Sequence, residues 1–257
     1  MILAVDIGNT HIKIGAWDDS TLVFLSRLQT SHSRTQDEYA INILDILHLN
    51  GCNRAQFDGA IIGSVVPGVS VTMRNAVITV IQSNRVFLVS PGLETGLNIK
   101  TDDPAILGSD LVCAGVAALN KYPMPCYILS LGTATTVFAM DQEGNFMGGC
   151  VCAGVTISLD ALSMRTAQLP RVSLDEPVSV IGANTVDSII SGAVYGTAGM
   201  LDSLVDRMQA LLGEGTVVAC GGSAGQIVPH CTHDVIMDDQ LVLEGLRLIY
   251  HKNVKLP

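Results

Sequence analysis

The feature that most constrains the fold is a hairpin written twice. "ILAVDIGNTHIKIGAW", beginning at Ile2, returns in altered form as "YILSLGTATTVFAMD", beginning at Tyr127. Each copy runs from an apolar strand through a turn of small residues into a second, alternating strand. Superposed, Asp6-Ile7-Gly8 falls on Ser130-Leu131-Gly132, an offset of 124 residues. Two units of that length nearly fill the 257 residues, so duplication of one fold unit is the economical reading. Strand–turn–strand pieces also recur by chance. The agreement in length and the polar tips Asp18-Asp19 and Gln142-Glu143 favour duplication.

Local signals then divide the chain into halves, 1–122 and 123–257, joined near Tyr122–Pro125, where two prolines flank Met124. In the first half, strands near Ile2–Val5, His11–Trp17 and Leu22–Leu28 precede a helix from Gln36 to Leu49, stopped at Gly51. "GAIIGSVV" and "RVFLV" read as buried strands around a helix that opens at Pro67. In the second half, the hairpin and "FMGGCVCAG" lead to helices over Val155–Gln168 and Val186–Leu212, the strand "TVVAC", and a C-terminal helix in "DDQLVLEGLRLIYHK". This alternation is that of an α/β protein. A content of 48% apolar and only 4% aromatic residues fits buried, aliphatic strands.

Charge and cysteine usage narrow the function. The net charge is −10 and no run of Lys or Arg occurs, which argues against a grip on nucleic acid. A small anion remains a reasonable ligand, since backbone amides and a few placed cations bind one locally. The seven cysteines are scattered, as expected in a reducing cytoplasm. Cys150 and Cys152 would share one strand face, but no second pair completes a tetrahedral metal set, so both are expected to be buried small residues. No histidine spacing supports a metal site either; His230 and His233 read as a surface turn before a strand. The uncharged stretch Tyr122–Met140 contains Pro123, Pro125 and Gly132, so it reads as a buried hairpin and not a membrane span. No signal peptide is expected, because Asp6 interrupts the opening apolar run.

A sheet hairpin that turns through glycine lets backbone approach closely, and successive N–H groups in the turn suit phosphate oxygens. Two such turns facing each other across a cleft could hold a triphosphate from both sides. Asp6, ending a strand before Gly8, is a candidate to place a metal, although acids there are also ordinary turn formers. Asp110 follows Ser109, a candidate cap, at the start of the helix "SDLVCAGVAAL". Taken alone, Asp110 could simply answer the helix dipole.

"DIGNT" at Asp6–Thr10, "LGTATT" at Leu131–Thr136 and "GG" at Gly221–Gly222 resemble the phosphate and adenosine motifs of the superfamily of sugar kinases, actin and heat-shock chaperones. Within it the chain resembles the type III pantothenate kinases along nearly its whole length. The segments that carry this are "GSVVP", "TGLNIKTDDPAILGSD", "GGCVCAG", "LDALSMRTAQLPRV", "ANTVDSIISGAVYG" and "LVLEGLRLIY". The resemblance implies duplicated ribonuclease H-like (actin-like ATPase) domains with a nucleotide cleft between them. It implies ATP-dependent phosphorylation of pantothenate, the first step towards coenzyme A, by a cytoplasmic homodimer using Mg²⁺ and a monovalent cation, K⁺ or NH₄⁺.

Site residues implied by the same resemblance are Asp6 with the metal–ATP complex, and Ile7, Gly8, Asn9, Thr10, His11, Ile12 and Lys13 along the first nucleotide segment. Thr133, Gly221 and Gly222 would serve the nucleotide in the second half. Gly108, Ser109, Asp110, Leu111 and Thr185 would line the pantothenate site, with Asp110 as the base. Lys13 is also readable as a solvated strand-face lysine, and Thr133 and Thr185 as ordinary turn or cap threonines. Five positions depart from the family: Thr101 for a tyrosine, Leu111 for the arginine that pairs with pantothenate, Ser130 for the aspartate that helps hold the monovalent cation, Ala153 for a proline and Ala183 for a lysine. The residues therefore support three readings: a pantothenate kinase with weakened substrate and potassium use, a kinase of another small alcohol, and a silent regulatory relative.

Overall fold

The computed structural model describes residues 1–174 and 179–254. In the first half β1 (Ile2–Ile7), β2 (His11–Asp18) and β3 (Thr21–Gln29) form an antiparallel meander. Helix α1 (Gln36–Leu49) opens with a capping box, in which Thr35 and Glu38 satisfy each other's backbone N–H groups, and buries Tyr39, Ala40, Ile43, Ile46 and Leu47. Then follow β4 (Gly59–Ser64), α2 (Pro67–Ile81), β5 (Val86–Leu88) and α3 (Ser109–Lys121). Proline opens α2 because the first turn needs no N–H there. β4 lies parallel to β1, and β5 parallel to β4.

The second half repeats this plan with β6 (Cys126–Leu131), β7 (Ala134–Met140), β8 (Phe146–Ala153), α4 (Val155–Arg165), α5 (Thr185–Leu212), β9 (Thr216–Cys220), the short α6 (Ala224–Ile227) and β10 (Val235–Met237). Helix α7 (Leu241–Asn253) closes the described chain. The strand orders are β3-β2-β1-β4-β5 and β8-β7-β6-β9-β10, the same topology twice. In each sheet the first strand of the repeat is central, antiparallel to its hairpin partner and parallel to the strand on its other side.

Two compact units result: residues Met1–Leu97 and Asp103–Asn120 with the segment from Leu241, and Asn98–Asp102 with Lys121–Gln240. They follow the duplicated sheets and depart from two contiguous halves in two places. Residues 98–102 join the second unit because the backbone of Asn98 and Lys100 bonds to Phe146. Helix α7 packs on β1, β2 and β4 of the first.

In the first unit, odd residues of β1 and even residues of β2 enter a core with α1 and α2. That alternation turns Asp6 and Lys13 to the other face, where α7 lies. In the second unit, Ile190, Val194, Ala198, Leu201 and Val205 recur at helical spacing on α5 and bury against β6 and β7.

Three local expectations are corrected. Helix α4 stops at Arg165 and not at Gln168: Thr166 is extended and its hydroxyl donates to the Leu162 carbonyl, ending the ladder. Ser109 does not cap α3, since its buried hydroxyl has no partner. Cys150 and Cys152 are half-buried on β8. Among the described residues no group of three or more His, Cys, Asp or Glu could hold a metal, and no helix is long and apolar enough to cross a membrane.

Candidate active site

The carboxylates singled out in the sequence meet in the first unit. On β1, Asp6 sits between Lys13 of β2 and Gly63 of β4, so the three form one row across the sheet and share a face. Asp110 is the second residue of α3 and is largely covered. Burial pushes the Asp6 carboxyl up to about 6; Lys13 pulls it back and the nearby Asp110 pushes it further up. Burial also raises Asp110, against the backbone N–H groups of Leu111 and of Asp110 itself, which hydrogen-bond the carboxylate at the helix start. One turn on, Cys113 is fully buried, and burial together with both carboxylates drives its thiol well above the ordinary range. This is a protonated, inert thiol beside two carboxylates poised to accept a proton or a cation.

The first turn is closed by the Gly8 N–H donating to the His11 carbonyl at 3.0 Å, and Thr30 Oγ1 donates to the Gly8 carbonyl at 2.7 Å. Asn9, Thr10 and His11 are exposed on it. Ile7 and Ile12 belong to the first segment only through their backbone, because both side chains are fully buried in the core. Gly108 lies under Asp110: its carbonyl accepts the Val112 N–H, and Asp110 Oδ1 is 2.5 Å from where a Cβ would stand. Leu111 is partly exposed beside them.

The second unit keeps the shape of the turn and loses its charge. Here Gly132 N–H donates to the Ala134 carbonyl at 3.0 Å, closing a turn one residue shorter than the first. The register therefore matches Thr136, and not Thr135 or Val137, to Lys13. The row Lys13–Asp6–Gly63 becomes Thr136–Ser130–Cys220, with neutral groups throughout. Sequence comparison found the lost acid; the lost cation opposite it appears only once the strands are in register.

Thr133 is exposed on this turn, and its carbonyl accepts the N–H of Gly154, the residue before α4. A side chain at Gly154 would run into the carbonyls of Gly132 and Thr133, so only glycine permits this approach. Gly221, at φ 110°, presses its Cα side against the Leu131 backbone while Gly222 stands in open space. Thr185 starts α5 after the Asn184 cap and lines a cavity of about 580 Å³ with Cys152, Ala153, Leu159, Ile189 and Met200. The structure thus joins Asp6, Lys13 and Asp110 in one unit, and Ser130, Thr133, Gly221 and Gly222 around one turn of the other. Thr185 reaches that turn's neighbourhood through Ala153 and Gly154.

The donor sets can be compared with the cations the resemblance implies. A half-buried carboxylate with a second one beside it suits a divalent cation, which would offset the burial and the Asp110 repulsion that raise Asp6. The row around Ser130 contains hydroxyls and a thiol but no carboxylate, a weaker donor set for a monovalent cation than one with a charged oxygen.

Comparison with known proteins agrees with the repeated topology. The chain is 38% identical to a type III pantothenate kinase of Exiguobacterium sibiricum over 253 residues, covering 98% of this chain and 100% of the relative. Among solved structures it resembles the activator of the 2-hydroxyisocaproyl-CoA dehydratase from Clostridium difficile with bound ADPNP, at a TM-score of 0.56 and 16% identity over 100% of this chain and 98% of that one. It also resembles the ROK hexokinase of Thermus thermophilus, at a TM-score of 0.54 and 14% identity over 99% of each chain. These two likenesses establish the actin-like fold. A family model for type III pantothenate kinase matches residues 2–207. With that match and a full-length relative above, the chain belongs to the type III pantothenate kinase family.

Proposed function

We propose that the protein phosphorylates pantothenate with ATP to give 4'-phosphopantothenate, the first step of coenzyme A biosynthesis. The observation that carries this reading is the pair of half-buried carboxylates Asp6 and Asp110 in a member of the family. The primary hydroxyl of pantothenate attacks the γ-phosphorus of ATP, and its proton passes to the Asp110 carboxylate. A P–O bond forms to the alcohol, the bond to the bridging oxygen breaks, and its electron pair leaves with ADP. A base works best when its pKa approaches the operating pH, and burial moves Asp110 in that direction. Asp6 would hold the Mg²⁺ of the nucleotide, and that ion would neutralise charge on the transferred group. Lys13, beside Asp6, adds a second cation to the first phosphate turn.

The exposed residues Asn9, Thr10 and His11, with Gly8, are assigned to phosphate contact in the first unit. Thr133, Gly221 and Gly222 take that role in the second, and Thr185 is assigned to pantothenate. The assignment of Ile7 and Ile12 is limited to their backbone. Apolar side chains exposed on β8 and α4, among them Met147, Val151, Ile157 and Met164, support a homodimer. The free cysteines support a reducing cytoplasm. The halves 1–122 and 123–257 are proposed as the copies of an ancestral duplication.

Leu111 favours a second reading. It offers no cation to a substrate carboxylate, which suits a small alcohol that lacks one. Counting ADP released with Mg²⁺–ATP and a panel of alcohols tests both. ADP release with pantothenate supports the first reading; a flat response to pantothenate with release on another alcohol selects the second. Absence of ADP release with every alcohol in the panel, while nucleotide still binds, would select the silent regulatory reading.

A further inference from the structure

The geometry points to Gly63 as a positioning residue that sets where Asp110 stands relative to Asp6. The inference rests on the reading of Asp110 as the base. Gly63 is the third member of the row Lys13–Asp6–Gly63, so its missing side chain would project on the same face as the Asp6 carboxylate. Two helices occupy that vacated space. A Cβ at Gly63 would lie 3.2 Å from Leu246 Cδ2 of α7, 3.5 Å from Ser109 Oγ and 3.8 Å from Cys113 Sγ, both of α3. The same two helices touch each other where Gly245 of α7 lies against the Cys113 backbone, an approach that leaves no room for any side chain. α3 is therefore wedged between α7 and β4, with Gly63 as the seat beneath its first turn.

Asp110 is the residue after Ser109, so the depth at which α3 sits fixes the depth of the carboxylate. The electrostatic influence of Asp110 on Asp6, and of both on Cys113, follows from this seating. Nothing in the seat is a reacting group. Ser109 Oγ is buried without a partner and Cys113 is fully buried, so the contact serves placement. A methyl group at Gly63 needs Leu246 to give by a few tenths of an ångström and meets Ser109 at ordinary contact distance. The two methyls of valine reach further and lift the start of α3 away from β4.

The test uses the whole chain with Mg²⁺–ATP and pantothenate. Gly63→Val is expected to lower kcat by about a hundredfold, the scale of an ångström of misplacement of a reacting group, and Gly63→Ala by less. The KM for ATP should stay at its wild-type value, because the phosphate turn at Gly8–His11 is untouched. Leu246→Ala combined with Gly63→Ala returns room to the seat and should restore kcat, which a general loss of stability would not do. Wild-type kcat in both folded Gly63 variants overturns the inference while leaving Asp110 its role. Full turnover by Asp110→Asn overturns the role of Asp110 itself. Should Gly63→Val fail to fold, the Gly63→Ala and Leu246→Ala pair decides: failure of the double variant to recover kcat counts against the seat.

Discussion

Replacing Asp6 by asparagine should shift the stability of the metal-free protein in the variant's favour as pH rises from acid to neutral, while disabling it. The carboxyl is raised from 3.8 to about 6 by burial first, with Asp110 adding to the rise and Lys13 opposing it. The folded chain therefore holds this proton more tightly than the unfolded chain. Stability from that source is fully present below the ordinary carboxylate value and is lost as pH rises through about 6. A shift of that size corresponds to about 3 kcal/mol at neutral pH, of which roughly 2 kcal/mol disappears between about pH 4 and about pH 7. Asparagine is neutral throughout and removes this dependence. Constant terms, such as the loss of Lys13's partner or an imperfectly bonded amide, cancel when the two pH values are compared.

The assay is urea unfolding of wild type and Asp6→Asn in EDTA across that range. The stability of the variant relative to wild type should rise by about 2 kcal/mol from the acid to the neutral end, an upward movement of roughly 5 °C in relative Tm. Parallel stability curves for the two proteins would refute the reasoning, because they would mean that Asp6 titrates alike folded and unfolded. Mg²⁺–ATP should stabilise wild type and leave Asp6→Asn nearly unmoved.

Further predictions concern charge elsewhere. Asp238 is 7% exposed and accepts hydrogen bonds from Lys121 Nζ and Tyr122 Oη, both at 2.8 Å. Asp238→Ala should cost about 2–4 kcal/mol in urea unfolding, and Tyr122→Phe about 1 kcal/mol. Leu111→Arg should lower the KM for pantothenate by about ten- to a hundredfold, the worth of one charge-assisted bond; an unchanged KM means another group already meets the carboxylate, or that pantothenate is not the substrate. Exchanging potassium for sodium at constant ionic strength should change turnover more in Ser130→Asp than in the wild type, because the variant adds a charged oxygen to a row that Ser130 and Thr136 leave neutral. An equal response in the two proteins would contradict this.

Much of the fold is legible locally. Helix α1 runs over Gln36–Leu49 as the pattern from Gln36 to Gly51 requires, and both hairpins close where their small residues lie. Features that depend on register or on distant chain are not legible. The single-residue difference between the two turns pairs Thr136 with Ser130, and no strand pattern reveals a ladder's register from one side. The amphipathic pattern of α7 shows an apolar face without naming the sheet it covers, which is the first and not the second. Nothing in "MDDQ" marks Asp238 as a buried acid, because its partners, Lys121 and Tyr122, are more than a hundred residues away. Motif resemblance singled out Asp6 and Asp110, which the structure brings together, but Cys113 gave no chemical signal. Its importance comes only from standing one helical turn beyond Asp110.

The most direct trial of the account is product formation by Asp110→Asn. Wild type and variant are each given Mg²⁺–ATP and pantothenate, 4'-phosphopantothenate is quantified by mass spectrometry, and ATP affinity is measured on the same samples. Product is expected from the wild type, with a rate about 10²- to 10⁴-fold lower in the variant at undiminished ATP affinity. A folded variant that forms product at the wild-type rate would show that the alcohol's proton goes elsewhere.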